Sequence, residues 1–147
     1  MAVLLYRIQS SLFKHHLILP AYIIHKLNLI RYGIDILPGS TIDGGLRIDH
    51  PVGVVVGAGS EIGSNCTIMQ GVTLGVRNVI RSKNDDRYPK VGDGVFIGAH
   101  STILGGVLLG DNVVIGAHSL VLVNCPSGVR FTTDLTPILD EDPDGNN

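Results

Sequence analysis

The chain has 147 residues, 16% of them charged, and a formal net charge of −2 at pH 7, so no basic field advertises nucleic acid. One domain with a real core fits this length. The two cysteines, Cys66 and Cys125, stand far apart without partners at metal spacing, which excludes a disulfide framework and a zinc site built on them.

Residues 1–33 carry apolar side chains at helical spacing. Leu4, Leu5, Ile8, Leu12 and Phe13 recur with Arg7, Gln9 and Lys14 between them. Pro20 interrupts, and residues 21–32 read as a second amphipathic helix carrying Ile23, Ile24, Leu27 and Ile30. The run from Leu17 to Ile30 is too short, and too broken by Pro20, His25 and Lys26, to span a bilayer. It also lacks the cleavage pattern of a signal peptide. One or two short helices are therefore expected to cap the open end of a repeat that begins at residue 34. A second reading lays them on a membrane surface, because Arg7, Lys14, Lys26 and Arg31 flank the apolar stripes.

From residue 34 the period becomes six. Ile36, Ile42, Ile48, Val56, Ile62, Ile68 and Leu74 open a series that Val91, Ile97, Ile103, Leu109, Ile115 and Val121 close. An even period suits strands, whose side chains alternate faces, and not a 3.6-residue helix. Gly or Asp usually stands after the anchor, which is read as a turn needing an unusual backbone. Small or β-branched residues usually stand two before it. Cys66 occupies one such inward place and reads as a packed core thiol. Hexads of this kind build a mainly β fold, a parallel β-helix over residues 34–125, with about three hexads per coil.

Two stretches break the period. Ile48 to Val56 is eight residues, and the extra two fall within Asp49-His50-Pro51-Val52. Asp35 lies nearly one coil before His50, a spacing that brings a carboxylate towards an imidazole. Transfer of an acyl group to a hydroxyl needs such a pair: a base to take the proton, and a carboxylate to fix its tautomer. On the residues alone, a surface turn is the other reading of His50. The second break is a polar loop, 76–90, extruded from the coil and holding Arg87, Tyr88 and Lys90.

Taken together, these motifs look like the hexapeptide-repeat acyltransferases, in their serine acetyltransferase branch. The resemblance rests on Asp35-Ile36, then Asp49-His50, then Gly53-Val54-Val55-Val56-Gly57, then Gln70-Gly71-Val72-Thr73-Leu74-Gly75, and runs from about Gly33 to Val123. It implies a left-handed coil, a homotrimer with active sites between subunits, and direct transfer from acetyl-CoA. It implies that His50 is the base, Asp35 its orienter, and Asp49 and Arg87 acceptor contacts, with Tyr88 where the family has His. Gly75, Ala99 and Ala117 resemble the groove for the pantetheine arm, and Lys90 a contact for a CoA phosphate.

Tyr88, the longer loop and the absence of a large helical domain before residue 34 turn the expected acceptor towards a sugar of a surface or exopolysaccharide precursor. Serine O-acetylation for cysteine biosynthesis is the alternative, and a non-catalytic trimeric scaffold a further one. A γ-carbonic-anhydrase-like zinc protein shares the coil, but His100 and His118 give it a pair of ligands at best, so no metal is expected. The expected compartment is the cytoplasm, at the inner face of the membrane if the helices touch lipid. Residues 126–147 read as a tail, partly disordered, ending in acidic residues from Asp140 to Asp144.

Overall fold

The computed structural model describes residues 1–77 and 87–132. The central part of the loop, including Arg81, Lys83 and Asp86, and the acidic tail lie outside the described residues.

Two helices lead. Helix α1 (Ala2–Lys14) and helix α2 (Ile18–Tyr32) form an antiparallel hairpin, with Asn28 Nδ2 donating to the Ala2 carbonyl at 3.1 Å. Helix α2 begins at Ile18, ahead of the break expected at Pro20. Proline is tolerated there because a first-turn N–H has no intrahelical acceptor to lose. The helix ends at Gly33, whose left-handed φ of 66° lets its amide bond the Leu29 carbonyl at 2.9 Å.

The rest is a parallel β-helix of very short strands. The first coil holds β1 (Asp35–Ile36), β2 (Thr41–Ile42) and β3 (Arg47–Ile48). The second holds β4 (Val55–Val56), β5 (Glu61–Ile62) and β6 (Thr67–Ile68). The third holds β7 (Thr73–Gly75), β8 (Lys90–Val91) and β9 (Phe96–Ile97). The fourth holds β10 (Thr102–Leu104), β11 (Leu108–Leu109) and β12 (Val114–Ile115), and β13 (Leu120–Val121) and β14 (Arg130–Phe131) close the series.

Every third strand pairs, giving three parallel faces: β1-β4-β7-β10-β13, β2-β5-β8-β11 and β3-β6-β9-β12-β14. The anchors stack in three columns. Ile36, Val56, Leu74, Ile103 and Val121 form the first; Ile42, Ile62, Val91 and Leu109 the second; Ile48, Ile68, Ile97 and Ile115 the third. All are buried except Ile48, which is partly exposed. Phe131 extends the third column, so the coil runs past the expected boundary at 125.

Two coils take 18 residues each, Val55 to Thr73 and Thr102 to Leu120. The first coil takes 20, from Asp35 to Val55, and the third 29, from Thr73 to Thr102. The extra residues leave the columns in register.

The glycine after many anchors has a different purpose from the one expected. None of Gly57, Gly63, Gly92, Gly98, Gly110 and Gly116 has a positive φ. They are small because the next coil approaches closely: a Cβ on Gly98 would lie 2.6 Å from the Ala117 amide nitrogen.

Along the faces, each coil donates its N–H groups to the carbonyls of the next, as Asp35 does to Val54 and Val55 to Val72. The first coil is therefore left with bare carbonyls. Helix α1 covers them with side-chain donors: Tyr6 to the Ser40 carbonyl at 3.0 Å, Gln9 to Ile36 at 2.6 Å, and the Arg7 guanidinium to Ile42 and Asp43. The outer side of the hairpin remains apolar, with Leu19 74% and Ile30 82% exposed, and Leu4, Ile8 and Ile23 exposed with them. Among the described residues no helix is long and apolar enough to cross a membrane.

Candidate active site

The corner between the third and first faces gathers most of the expected chemistry. Strand β3 holds its pairing as far as Asp49, whose amide donates to the Ile68 carbonyl at 3.0 Å. The chain then bulges through His50, Pro51 and Val52. It rejoins the coil at Gly53, whose amide meets the Gly33 carbonyl at 2.8 Å. This bond sets the bulge against the entry to β1, which Asp35 opens. His50 is exposed and takes a left-handed φ of 57°, a region that His enters more readily than branched residues do. Asp49 Oδ2 lies 3.4 Å from Arg47 Nε, an exposed pair that adds little stability. A cleft of about 330 Å³ opens between the hairpin and the bulge, lined by Met1, Ala2, Val3, Tyr32, Ile48 and Pro51.

The structure gives Asp35 a partner other than the expected His50. His25 Nε2 of α2 lies 2.7 Å from Asp35 Oδ1. The reason is the cap: α2 ends shortly before Asp35, so its inner side passes over the start of β1. His25 is 3% exposed, Tyr22 meets its ring edge-on at 6.1 Å, and its Nδ1 is buried without a partner among the described residues. Sequence reasoning missed it. Its only signal was the buried stripe Ala21, His25, Asn28, visible once the helix register is known.

Further along the same corner, Gly71, His100 and His118 repeat the place of Gly53, with φ of 67°, 58° and 55°. Their amides bond the Val52, Gln70 and Ala99 carbonyls. The His100 ring covers Gly71 so closely that a Cβ there would collide with Nδ1, and it stacks on His118 with centroids 5.1 Å apart. Among the described residues no three His, Cys, Asp or Glu side chains converge as a metal set. Ala99 and Ala117 stand just before these histidines, on the edge where a close approach is open. Gly75 lies elsewhere, at the far end of the first face, where its carbonyl accepts from Gly105 at 2.9 Å.

The remaining expected residues sit around the next corner, between the first and second faces. The Tyr88 ring lies flat against the turn after β4: a Cβ on Gly59 would collide with its Cδ2, and one on Gly57 would meet its Cε1 at 2.5 Å. Arg87, beside it, has a buried Nε with no partner among the described residues. Lys90 Nζ is 3.2 Å from Glu61 Oε1 on the second face, away from Ala99 and Ala117. Strand β4 separates Tyr88 from His50, and the three steps from Val54 to Gly57 span roughly 10 Å.

Cys66 is fully buried and donates to the Gly92 carbonyl at 3.1 Å. Burial pushes its thiol above the ordinary range, so it is a poor nucleophile. Cys125 is pushed up by burial too.

Among known families, residues 88–122 match the one described as bacterial transferase hexapeptide (six repeats), and residues 53–81 the hexapeptide repeat of succinyl-transferase. The serine acetyltransferase of Helicobacter pylori is 41% identical over 127 residues, 86% of this chain and 72% of that protein. Chloroplastic serine acetyltransferase 1 of Arabidopsis thaliana is 42% identical over 122 residues, 83% of this chain and 38% of that one. Among solved structures, Neisseria gonorrhoeae serine acetyltransferase in complex with serine superposes with a TM-score of 0.80 at 38% identity, covering 88% of this chain and 52% of that one. The soybean apoenzyme gives 0.84 at 36%, covering 91% and 54%. The chain thus spans about half the length of the solved relatives it matches.

The fold and the repeats define the class, a left-handed parallel β-helix of hexapeptide type. Within it, the chain belongs to the serine acetyltransferase-like branch of the hexapeptide-repeat acyltransferases.

Proposed function

We propose that this chain is an acetyl-CoA-dependent serine O-acetyltransferase acting as a homotrimer. The observation that carries the reading is the bulged corner. It lifts Asp49 and His50 out of the six-residue period, against the entry to β1 that Asp35 opens, in a chain 41% identical to a serine acetyltransferase over 127 residues. His50 takes the proton of the acceptor hydroxyl as its oxygen attacks the thioester carbonyl. Backbone N–H groups hold the resulting oxyanion. The intermediate then collapses, and the CoA sulfur leaves with the proton from His50. Ester and thiol are the products, with no acyl-enzyme.

Serine replaces the sugar expected from the sequence. The relatives are named for serine, and Tyr88, which had argued for a sugar, is engaged in packing on Gly57 and Gly59. The trimer is proposed because one copy separates the required groups. His50 stands at one corner and Arg87 at the next, so a site using both draws them from neighbouring copies. Small side chains at Ala99 and Ala117 suit the thin pantetheine arm. A contact between the hairpin and anionic lipid is also proposed, because residues 1–34 hold four Lys or Arg and no Asp or Glu beside an apolar face.

The test is thiol release from acetyl-CoA by purified protein, offered serine and then a panel of sugars and nucleotide sugars. Saturable release with serine is expected. Release only with a sugar would replace serine by a saccharide acceptor. Failure of acetyl-CoA to bind in calorimetry would replace the enzyme by a scaffold.

A further inference from the structure

We infer that His25 is a positioning residue: it orients Asp35 for His50, and the helical hairpin is thereby part of the active site. The inference rests on the reaction proposed above.

Its Nε2 lies 2.7 Å from Asp35 Oδ1, while Nδ1 is buried with no acceptor among the described residues. A proton on Nδ1 would be buried without a partner, at the cost of a lost hydrogen bond. A proton on Nε2, donated to the carboxylate, leaves no buried N–H without an acceptor. The Asp35 side chain is 35% exposed, with Oδ1 tied to His25. A carboxylate with one oxygen fixed cannot swing about its last torsion. That is the preparation it needs to accept from an imidazole N–H of His50 and stabilise the imidazolium. Tyr22 meets the His25 ring edge-on, with centroids 6.1 Å apart. Helix α2, stopped by Gly33 just before β1, delivers His25 rigidly to this place.

The competing account is a plain structural pin between helix and coil. Three variants separate the two: His25→Leu, His25→Gln and, as a control, His50→Ala. Turnover of acetyl-CoA and serine would be measured across pH, with thermal midpoints for each protein. His25→Leu is expected to lower kcat about 10- to 100-fold with little change in KM for acetyl-CoA. The acid limb of its rate profile is expected to move to lower pH, because a carboxylate free to swing stabilises the His50 imidazolium less. His25→Gln keeps an amide donor in the Nε2 position and is expected to restore most of the rate. A lower thermal midpoint in His25→Leu with kcat and pH profile unchanged would reduce the contact to a pin and overturn the inference. If His50→Ala keeps full turnover, the proposed reaction and this inference fall together. If His50→Ala is inactive while His25→Leu is not, the inference falls alone.

Discussion

Histidines at the corners of this coil serve unlike purposes from one backbone shape. His50, His100 and His118 all take a left-handed φ. Two of them stack on each other, and one stands in the bulge beside a carboxylate. His25, from helix α2, has no part in the repeat. The place of His50 and Asp49 in a bulge was readable because they break a period, and a break is visible in a sequence. His25 was not readable, since its contact exists only when α2 is docked on β1. The packing of Tyr88 was not readable for the same reason: contact with two glycines leaves no mark on spacing. Cys66 was legible, because its hexad place is an inward one. Its thiol is raised by burial above the ordinary value of 9.0, so the folded state favours the neutral form. The stability this contributes is present below that value and is lost as pH rises past it. Cys66 should react slowly with a thiol reagent at pH 8 in the native protein and rapidly once unfolded in guanidinium. Fast labelling of the folded chain would mean that this hexad opens.

At the scale of elements, the columns were legible and the caps were not. Thirteen aliphatic anchors predicted the three stacks because burial at a fixed period leaves a strict pattern. The glycines beside them were attributed to turn geometry, whereas coil-to-coil contact is the cause. Periodicity reports that a position is small; it does not report why. The hairpin was expected as a cap, but the donors that do the capping, Tyr6, Arg7 and Gln9, could not be assigned acceptors without coordinates. Its outer side supports a prediction of its own. The protein should co-sediment with vesicles containing an anionic lipid at low salt and be released at high salt. The double variant Ile23→Glu, Ile30→Glu should abolish this. Equal behaviour on purely zwitterionic vesicles, or no sedimentation at all, would remove the lipid contact.

The whole molecule raises the question of how many copies make one site. If His50 and Arg87 act together from neighbouring subunits, two inactive proteins can repair each other. His50→Ala and Arg87→Ala, unfolded together and refolded as mixed trimers, should regain activity at about a quarter of their sites. A mixture that stays as inactive as its components would place both residues in one copy or remove Arg87 from the reaction. The two breaks in the period, the bulge at His50 and the longer stretch between β7 and β8, add chain to a coil while the ladders before and after stay in register. A lineage built on this coil can therefore lengthen or trim its corners and exchange one acceptor for another without renegotiating the core. Catalytic novelty and structural inheritance are stored in separate parts of the same turn.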